Sequence, residues 1–224
     1  MEEPPLSLRQ LGIVLSEAPS HEALYDSLSQ YEDEACLQFT HAQILGDEKL
    51  LSAYYSSFLI SHLLTNQIQE ARALTKRMPP TLLKSDEVLR YSIAILRAVW
   101  QNQYHEIYHL LRNQTWPEPV NVIANKFDAF FTEKTFKDVS RVYESIRPEA
   151  AAEYLGLEEL VQNGAGSEPS AELIQTLVQR GWEWDDEKRL FQPHYPEESL
   201  KVGGLNTRLH GINRIAGLAG NHGS

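Results

Sequence analysis

Asn66-Gln67 and Asn102-Gln103 stand at an offset of 36 positions, and laying one pair over the other matches Tyr55 with Tyr91, Leu59 with Ile95, Leu63 with Val99 and Glu70 with Glu106. Leu74 then meets Leu110, and Lys76 meets Arg112. Repetition of this kind narrows the architectures open to a chain, because each unit is a helix pair whose apolar face has no cover of its own and is buried only by stacking on a neighbour. The offset is close to the roughly 34-residue period of tetratricopeptide arrays. In the first unit Leu50, Leu51, Tyr54, Tyr55, Phe58, Leu59, His62 and Leu63 fall on one broad helical face. Ile68, Ala71, Leu74 and Met78 make the second helix, stopped by Pro79-Pro80. The next pair starts at Ser85-Asp86-Glu87, where an oxygen can cap free amides, and carries Val88, Leu89, Ile95, Leu96, Val99 and Trp100, then Tyr104, Ile107, Tyr108 and Leu111.

Beyond Pro117 and Pro119 the pattern predicts a helix through Val120, Ile123, Phe127, Phe130 and Phe131, and a separate one through Phe136, Val139, Val142, Tyr143 and Ile146. Pro148 suits a first helical turn, and that helix runs through Ala151, Ala152 and Leu155 to Gly156. After "QNGAGSEPS", Ser170 caps a helix through Leu173, Ile174, Leu177 and Val178 that Gly181 closes. A hairpin follows, with strand Trp182 to Trp184, turn Asp185 to Lys188 and strand Arg189 to Gln192. Three helices and a hairpin make a winged-helix pattern.

The expected fold is therefore mainly α, with tetratricopeptide-like helical repeats, a winged-helix subdomain and a C-terminal helix. Its divisions are an acidic helical N-terminal region (1–46), the repeats (47–131), the winged helix (132–195) and a tail (196–224). In the N-terminal region Leu6 to Leu15 and Ala23 to Phe39 read as helical. In the tail Leu205, Leu209, Ile212, Ala216 and Ala219 form a seam at helical spacing. Gly211 and Gly217 each cost about 1 kcal/mol against alanine there, so the tail is either a frayed end or a helix that orders against partner helices.

Charge sorts the functions such a fold can carry. The chain bears a formal charge of -11, and from Thr132 to Tyr195 seven basic side chains face thirteen acidic ones. A groove reader neutralises phosphates with lysine and arginine. Here the presenting helix offers only Arg180, and the hairpin tip is Asp185-Asp186-Glu187. A polypeptide partner suits this surface better than nucleic acid, and the short edge strand could add to another sheet. Trp182, Trp184, Arg189 and Phe191 are the candidate contacts of the winged helix, and Leu205, Leu209, Ile212, Ala216 and Ala219 those of the terminal helix. The aromatic residues of the hairpin fit equally well as apolar filling between it and the helices. No apolar run reaches the roughly 18 residues of a membrane span. The single cysteine, Cys36, and a start without a signal-peptide pattern predict a soluble protein of a reducing compartment.

One enzymatic pattern stands out. His105-Glu106-Ile107-Tyr108-His109 matches H-E-x-x-H, in which two imidazoles one turn apart hold zinc and the glutamate activates water. A third ligand is needed, yet Arg112 stands where one large class has glycine, and the repeat places the motif on an ordinary second helix. Neither a glycine-rich phosphate loop nor a nucleophile elbow occurs. The expectation is a protein with no catalytic residues, cofactor, metal or small-molecule substrate.

Particular stretches add a resemblance. "ARALTKRMPP" (Ala71 to Pro80), "AVWQNQYHEIYHLLRNQTWPE" (Ala98 to Glu118) and "VYESIRPEAAAEYLGL" running into "LVQRGWEWDDEKRLFQP" resemble the small PCI-domain subunits of the COP-nine signalosome. Trp100, Tyr108, Trp116, Gly181 and Trp182 are the most distinctive positions, and sister families occur in the proteasome lid and translation initiation factor three. The resemblance implies a non-catalytic scaffold in a nuclear and cytoplasmic complex that removes Nedd8 from cullins, bound to other PCI subunits through the winged helix and the terminal helix. The acidic N-terminal region and the insertion at Asn163 to Ser167 depart from that family pattern.

Overall fold

The computed structural model describes residues 5–37, 48–161 and 169–194, and these are mainly helical. Ser7 accepts a hydrogen bond from the Gln10 amide ahead of α1 (Leu8–Glu17), and Ser20 from the Ala23 amide ahead of α2 (His21–Ser29). Each thereby satisfies an amide that has no acceptor within its own helix. Residues 32–37 form α3. The helix expected from Ala23 to Phe39 is thus broken after Ser29, and its end beyond residue 37 lies outside the described residues.

The chain continues through α4 (Glu48–Leu64), α5 (Ile68–Arg77), α6 (Pro80–Ser85), α7 (Glu87–Gln101), α8 (Tyr104–Asn113) and α9 (Val120–Val142). Every residue of α4 from Leu50 to Leu64 is buried, all round the helix rather than on one face. Small side chains at Ser52, Ala53, Ser56, Ser57 and Ser61 leave room for α2, α5, α7 and α9 to pack against it. Two local expectations change. Pro80 does more than stop α5, since it occupies the first turn of α6. Asp86 rather than Ser85 caps α7, its carboxylate accepting from the Leu89 amide at 2.7 Å and from the Ser52 hydroxyl at 2.6 Å.

The two asparagines of the 36-residue offset have one job. Asn66 (φ 57°) and Asn102 (φ 54°) are left-handed, and the amide that follows each reaches back to the last turn, Gln67 to the His62 carbonyl (2.8 Å) and Gln103 to that of Ala98 (2.9 Å). Asparagine tolerates this conformation, which closes a helix end and redirects the chain within two residues.

α9 corrects the sequence reading most. Where two helices were expected there is one of 23 residues, because Thr132-Glu133-Lys134-Thr135 contains no breaker. Its first half, with Ile123, Phe127 and Phe131, joins the large core around α4. Its second half, with Phe136 and Val139, joins a smaller core with Ile146, Ala151, Leu155, Leu173, Leu177, Trp182 and Phe191. Ile146 is not helical: its backbone exchanges two 2.9 Å hydrogen bonds with Phe191. α10 (Pro148–Leu155), a single 3-10 turn (Glu158–Leu160), α11 (Ala171–Gln179) and the strands β1 (Glu183–Asp185) and β2 (Leu190–Gln192) complete the described chain.

The two cores are clasped by Arg112. Its guanidinium holds both oxygens of Asp128 (2.9 and 3.1 Å), donates to the Gly156 carbonyl (2.6 Å) and lies 4.4 Å over the Tyr108 ring. The Tyr108 hydroxyl donates to the Tyr154 carbonyl (3.2 Å). Burial pushes the Tyr108 phenol up to about 12, so it remains a donor. Gly156 ends α10 at φ 63°, and a Cβ there would meet Tyr108 Cδ2 at 2.6 Å and Arg112 Nη1 at 2.8 Å. Gly156→Ala should therefore cost more than the roughly 1–2 kcal/mol of a left-handed alanine. Denaturant melts should show a loss larger than that of Arg112→Ala, whose ion pair is partly screened by solvent; a loss below about 1 kcal/mol would contradict the contact.

His62 supplies a second test. It is 2% exposed, with its ring centroid 4.7 Å from that of Phe58 and 5.0 Å from that of Tyr25. Burial is the main cause of a pKa below the ordinary histidine value, with Arg77 acting in the same sense and the Gln67 hydrogen bond, Glu32 and Glu70 opposing. A folded pKa below the unfolded one means that unfolding takes up a proton below about pH 6.5, so this contribution is present above that pH and is lost as pH falls toward the folded pKa. Thermal midpoints from pH 7 to 5 should fall more steeply for the wild type than for His62→Gln; parallel slopes would show that His62 does not titrate on unfolding.

Candidate partner-binding surface

β1 and β2 pair antiparallel with Glu183 opposite Gln192, Trp184 opposite Phe191 and Asp185 opposite Leu190. They begin one residue later than the sequence reading placed them. Both Phe191 backbone groups are taken by Ile146 on the far side of β2. Antiparallel pairs alternate between bonded and non-bonded, so Trp184 faces Phe191 without exchanging hydrogen bonds with it. The N–H and C=O of Trp184 consequently point outward from β1, the outer strand.

The small core holds this edge in place. Trp182 is 1% and Phe191 0% exposed. The Trp182 ring stacks on Phe136 (centroids 5.3 Å, planes 16° apart), and its indole N–H donates to the Ser140 hydroxyl at 2.8 Å. Arg180 covers the Phe136 ring at 3.7 Å and pairs with Glu133 at 2.7 Å. Of the four hairpin residues expected as contacts, Trp182 and Phe191 thus have no side-chain surface to offer in the described chain, and they act by fixing the strand. Trp184 is half-buried against Phe191 (4.8 Å), its indole donating to Asp186 at 2.6 Å. Arg189 is exposed, at φ 54° on the way into β2. Leu205, Leu209, Ile212, Ala216 and Ala219 lie outside the described residues.

The hairpin turn is organised by one acid. Asp185 Oδ1 accepts the Glu187 and Lys188 amides (3.1 and 2.9 Å), and Oδ2 pairs with the Lys188 ammonium at 3.1 Å. The Lys188 amide contributes most to holding the Asp185 pKa below the usual carboxylate value. Asp186 and Glu187 stay on the exposed tip. Apolar groups also reach the surface of this unit, namely Val142 (74% exposed), Val178 (45%) and Tyr143. Val178 reads with Leu173, Ile174 and Leu177 as an apolar position of α11, whereas only Leu173 and Leu177 are buried there. Val142 reads as core only because the separate helix expected from Phe136 runs through Ile146.

His105, Glu106 and His109 of the H-E-x-x-H segment lie on the exposed flank of α8, and Ile107 and Tyr108 between them are buried. The rings of His105 and His109 are 6.2 Å apart, and His105 Nδ1 lies 3.0 Å from Glu158 of the 3-10 turn. Among the described residues no three histidine, cysteine, aspartate or glutamate side chains come together as metal ligands. Position 112, the departure from the zinc-peptidase pattern, carries the clasp. Among the same residues no helix is long and apolar enough to cross a membrane.

Residues 49–200 match the family model described as the CSN8/PSMD8/EIF3K family. The chain is 42% identical over 193 residues to the COP9 signalosome complex subunit 8 of Emericella nidulans, a match covering 86% of both chains. It is 22% identical over 171 residues to the protein of that name from Danio rerio (76% of this chain, 84% of the relative). With that of Dictyostelium discoideum it shares 24% identity over 168 residues, covering 74% of this chain and 80% of the relative.

If the small core fixes the strand edge, Trp182→Ala should cost about 3–5 kcal/mol and broaden the amide NMR signals of residues 183–192. Trp182→Phe, which loses only the Ser140 hydrogen bond and part of the ring, should cost less. Undisturbed hairpin signals in Trp182→Ala would refute the dependence.

Proposed function

Because this chain belongs to the CSN8/PSMD8/EIF3K family, we propose that it is a subunit of a COP9 signalosome, acting there as a non-catalytic scaffold in nucleus and cytoplasm. In this reading the second half of α9, α10, α11 and the hairpin form a winged-helix module, with the helical pairs before it as a repeat array. Its partners are other PCI subunits. The cullin-directed removal of Nedd8 belongs to the assembled complex, with the isopeptidase on another subunit.

The observation that carries this reading is the outward backbone of Trp184 on a rigid outer strand. Strand addition uses main-chain hydrogen bonds for affinity and neighbouring side chains for register. A pre-ordered edge loses little conformational entropy on binding. The acids around it, Glu183, Asp186 and Glu187, repel nucleic acid and favour a polypeptide with basic or neutral flanks. Membership of the proteasome lid or of the initiation factor is the second reading, favoured by the breadth of the matched family. The 42% identity to a protein named as a signalosome subunit supports the first.

Affinity purification of the tagged chain from its own cells, followed by mass spectrometry, should recover signalosome subunits; lid or initiation-factor subunits in their place would overturn the assignment. Within that experiment Trp184→Pro, which deletes the outward donor, should cut recovery of the sister subunits by about tenfold. Trp184→Val, which keeps the donor, should retain most of it. Equal recovery by both variants would dismiss strand addition at this edge.

A further inference from the structure

Trp100 is among the most distinctive residues of the sequence, yet it belongs to neither core. It is 48% exposed on α7, and the Arg72 guanidinium from α5 lies 4.5 Å over its ring. Arg72, Thr75, Ile93, Leu96, Arg97 and Trp100 line a cavity of about 230 Å³ between the two helices. The 36-residue offset shows what is unusual about this face. Ile93, Leu96, Arg97 and Trp100 correspond to Ser57, Ile60, Ser61 and Leu64 of α4, which are 0%, 0%, 0% and 2% exposed. Neighbouring helices cover that face of α4, whereas on α7 Arg97 and Trp100 are exposed and Ile93 is half-buried among the described residues, with only Leu96 of the four buried.

The charge of the open face is opposite to that of the chain. In a protein of formal charge -11 the groove is lined by two arginines and no carboxylate. Lys76 follows Arg72 by one helical turn and adds a third cation on that side of α5. Arg72 makes one side-chain hydrogen bond, to Gln69 at 3.3 Å, and among the described residues neither Arg72 nor Arg97 forms an ion pair. Glu106 and Glu153 line the adjoining hollow on the other side of Arg97 without closing one. Guanidinium groups are weakly hydrated and present flat, forked donors that match carboxylates. The Trp100 face holds Arg72 in position, so less freedom is lost when an anion arrives. Beside these cations the half-buried Ile93 and the Trp100 edge supply apolar area, above the buried Leu96.

We propose that the α5–α7 groove is a docking site for an acidic segment of a partner polypeptide, in which aspartate or glutamate meets Arg72 and Arg97 and an adjacent apolar side chain packs on Ile93 and Trp100. This surface is separate from the strand edge at Trp184 and holds whether or not the signalosome assignment does. A long polyanion is disfavoured, since beyond the groove it meets the negative field of the rest of the chain.

The test uses the full 224-residue chain and a fluorescein-labelled peptide in which aspartate pairs flank a leucine and a phenylalanine, with a control carrying asparagine at every aspartate. Fluorescence anisotropy should show binding of the acidic peptide that weakens with salt. The asparagine control should bind at least about tenfold more weakly, and so should the acidic peptide to Arg72→Gln/Arg97→Gln or to Trp100→Ala. The variant positions are exposed, so circular dichroism melts should match the wild type. Trp184→Pro should bind the peptide as the wild type does, which separates this site from the strand edge. No binding at about 1 mM peptide, equal binding by the double variant, or equal competition by a single-stranded oligonucleotide would each overturn the proposal.

Discussion

The Arg112 clasp is the contact on which the relation between the two cores depends. α9 runs unbroken through both, which fixes the direction of the second core but leaves its rotation about the helix axis to side contacts. Arg112 supplies one from α8, reaching Asp128 on α9 and the carbonyl that ends α10. The ion pair alone is worth little, because its partners are 36% and 28% exposed and water screens them. What makes the contact selective is its shape. Gly156, left-handed and without a side chain, lies against both the Tyr108 ring and the guanidinium that covers that ring, so α10 approaches α8 closely at the position where its carbonyl meets the arginine.

From that clasp follows the placement of the strand edge. α10 runs into Gly156 with its buried face, Ala151, Ala152 and Leu155, in one core with Leu173, Leu177 and Trp182, and Trp182 is held by a ring stack and a buried hydrogen bond to α9. Phe191, fully buried, is tied by its backbone to Ile146. Each tie is short-ranged, and together they turn a two-stranded hairpin, marginal by itself in water, into a fixed edge with a single outward-facing residue.

How much of this could be read from the residues depended on whether the cause was local. Pro148, Gly156, Ser170 and Gly181 announced their helix ends, because caps and left-handed turns are decided within a few residues, whereas Asn66 and Asn102 read only as the anchor of the repeat and turn out to close helices too. The expected break after Phe131 failed for the complementary reason, since Thr132-Glu133-Lys134-Thr135 contains nothing that stops a helix and only a change of packing partner occurs there. Ile146 was misread because its partner, Phe191, is 45 residues away, and no periodicity reports so distant a pairing. The apolar residues of α4 read as one broad face, yet its serines are buried as well, a result of how closely four helices crowd round it. The aromatic pair Trp182 and Trp184 was legible as important, but only the ladder register separates the one that fills the core from the one that borders the edge.

The electrostatics divide the surface in the same way. Acids surround the strand edge, whereas the α5–α7 groove gathers cations beside an uncovered tryptophan. Two surfaces of opposite sign on one rigid body can hold two different neighbours without competing, since a segment suited to one is repelled by the other. For a chain built around α4, with most of its apolar area spent inside, such paired surfaces provide specificity where buried area cannot. A like-charged neighbour must bring at least one surface of its own that departs from its average, and Arg72, Arg97 and Trp100 are this chain's departure.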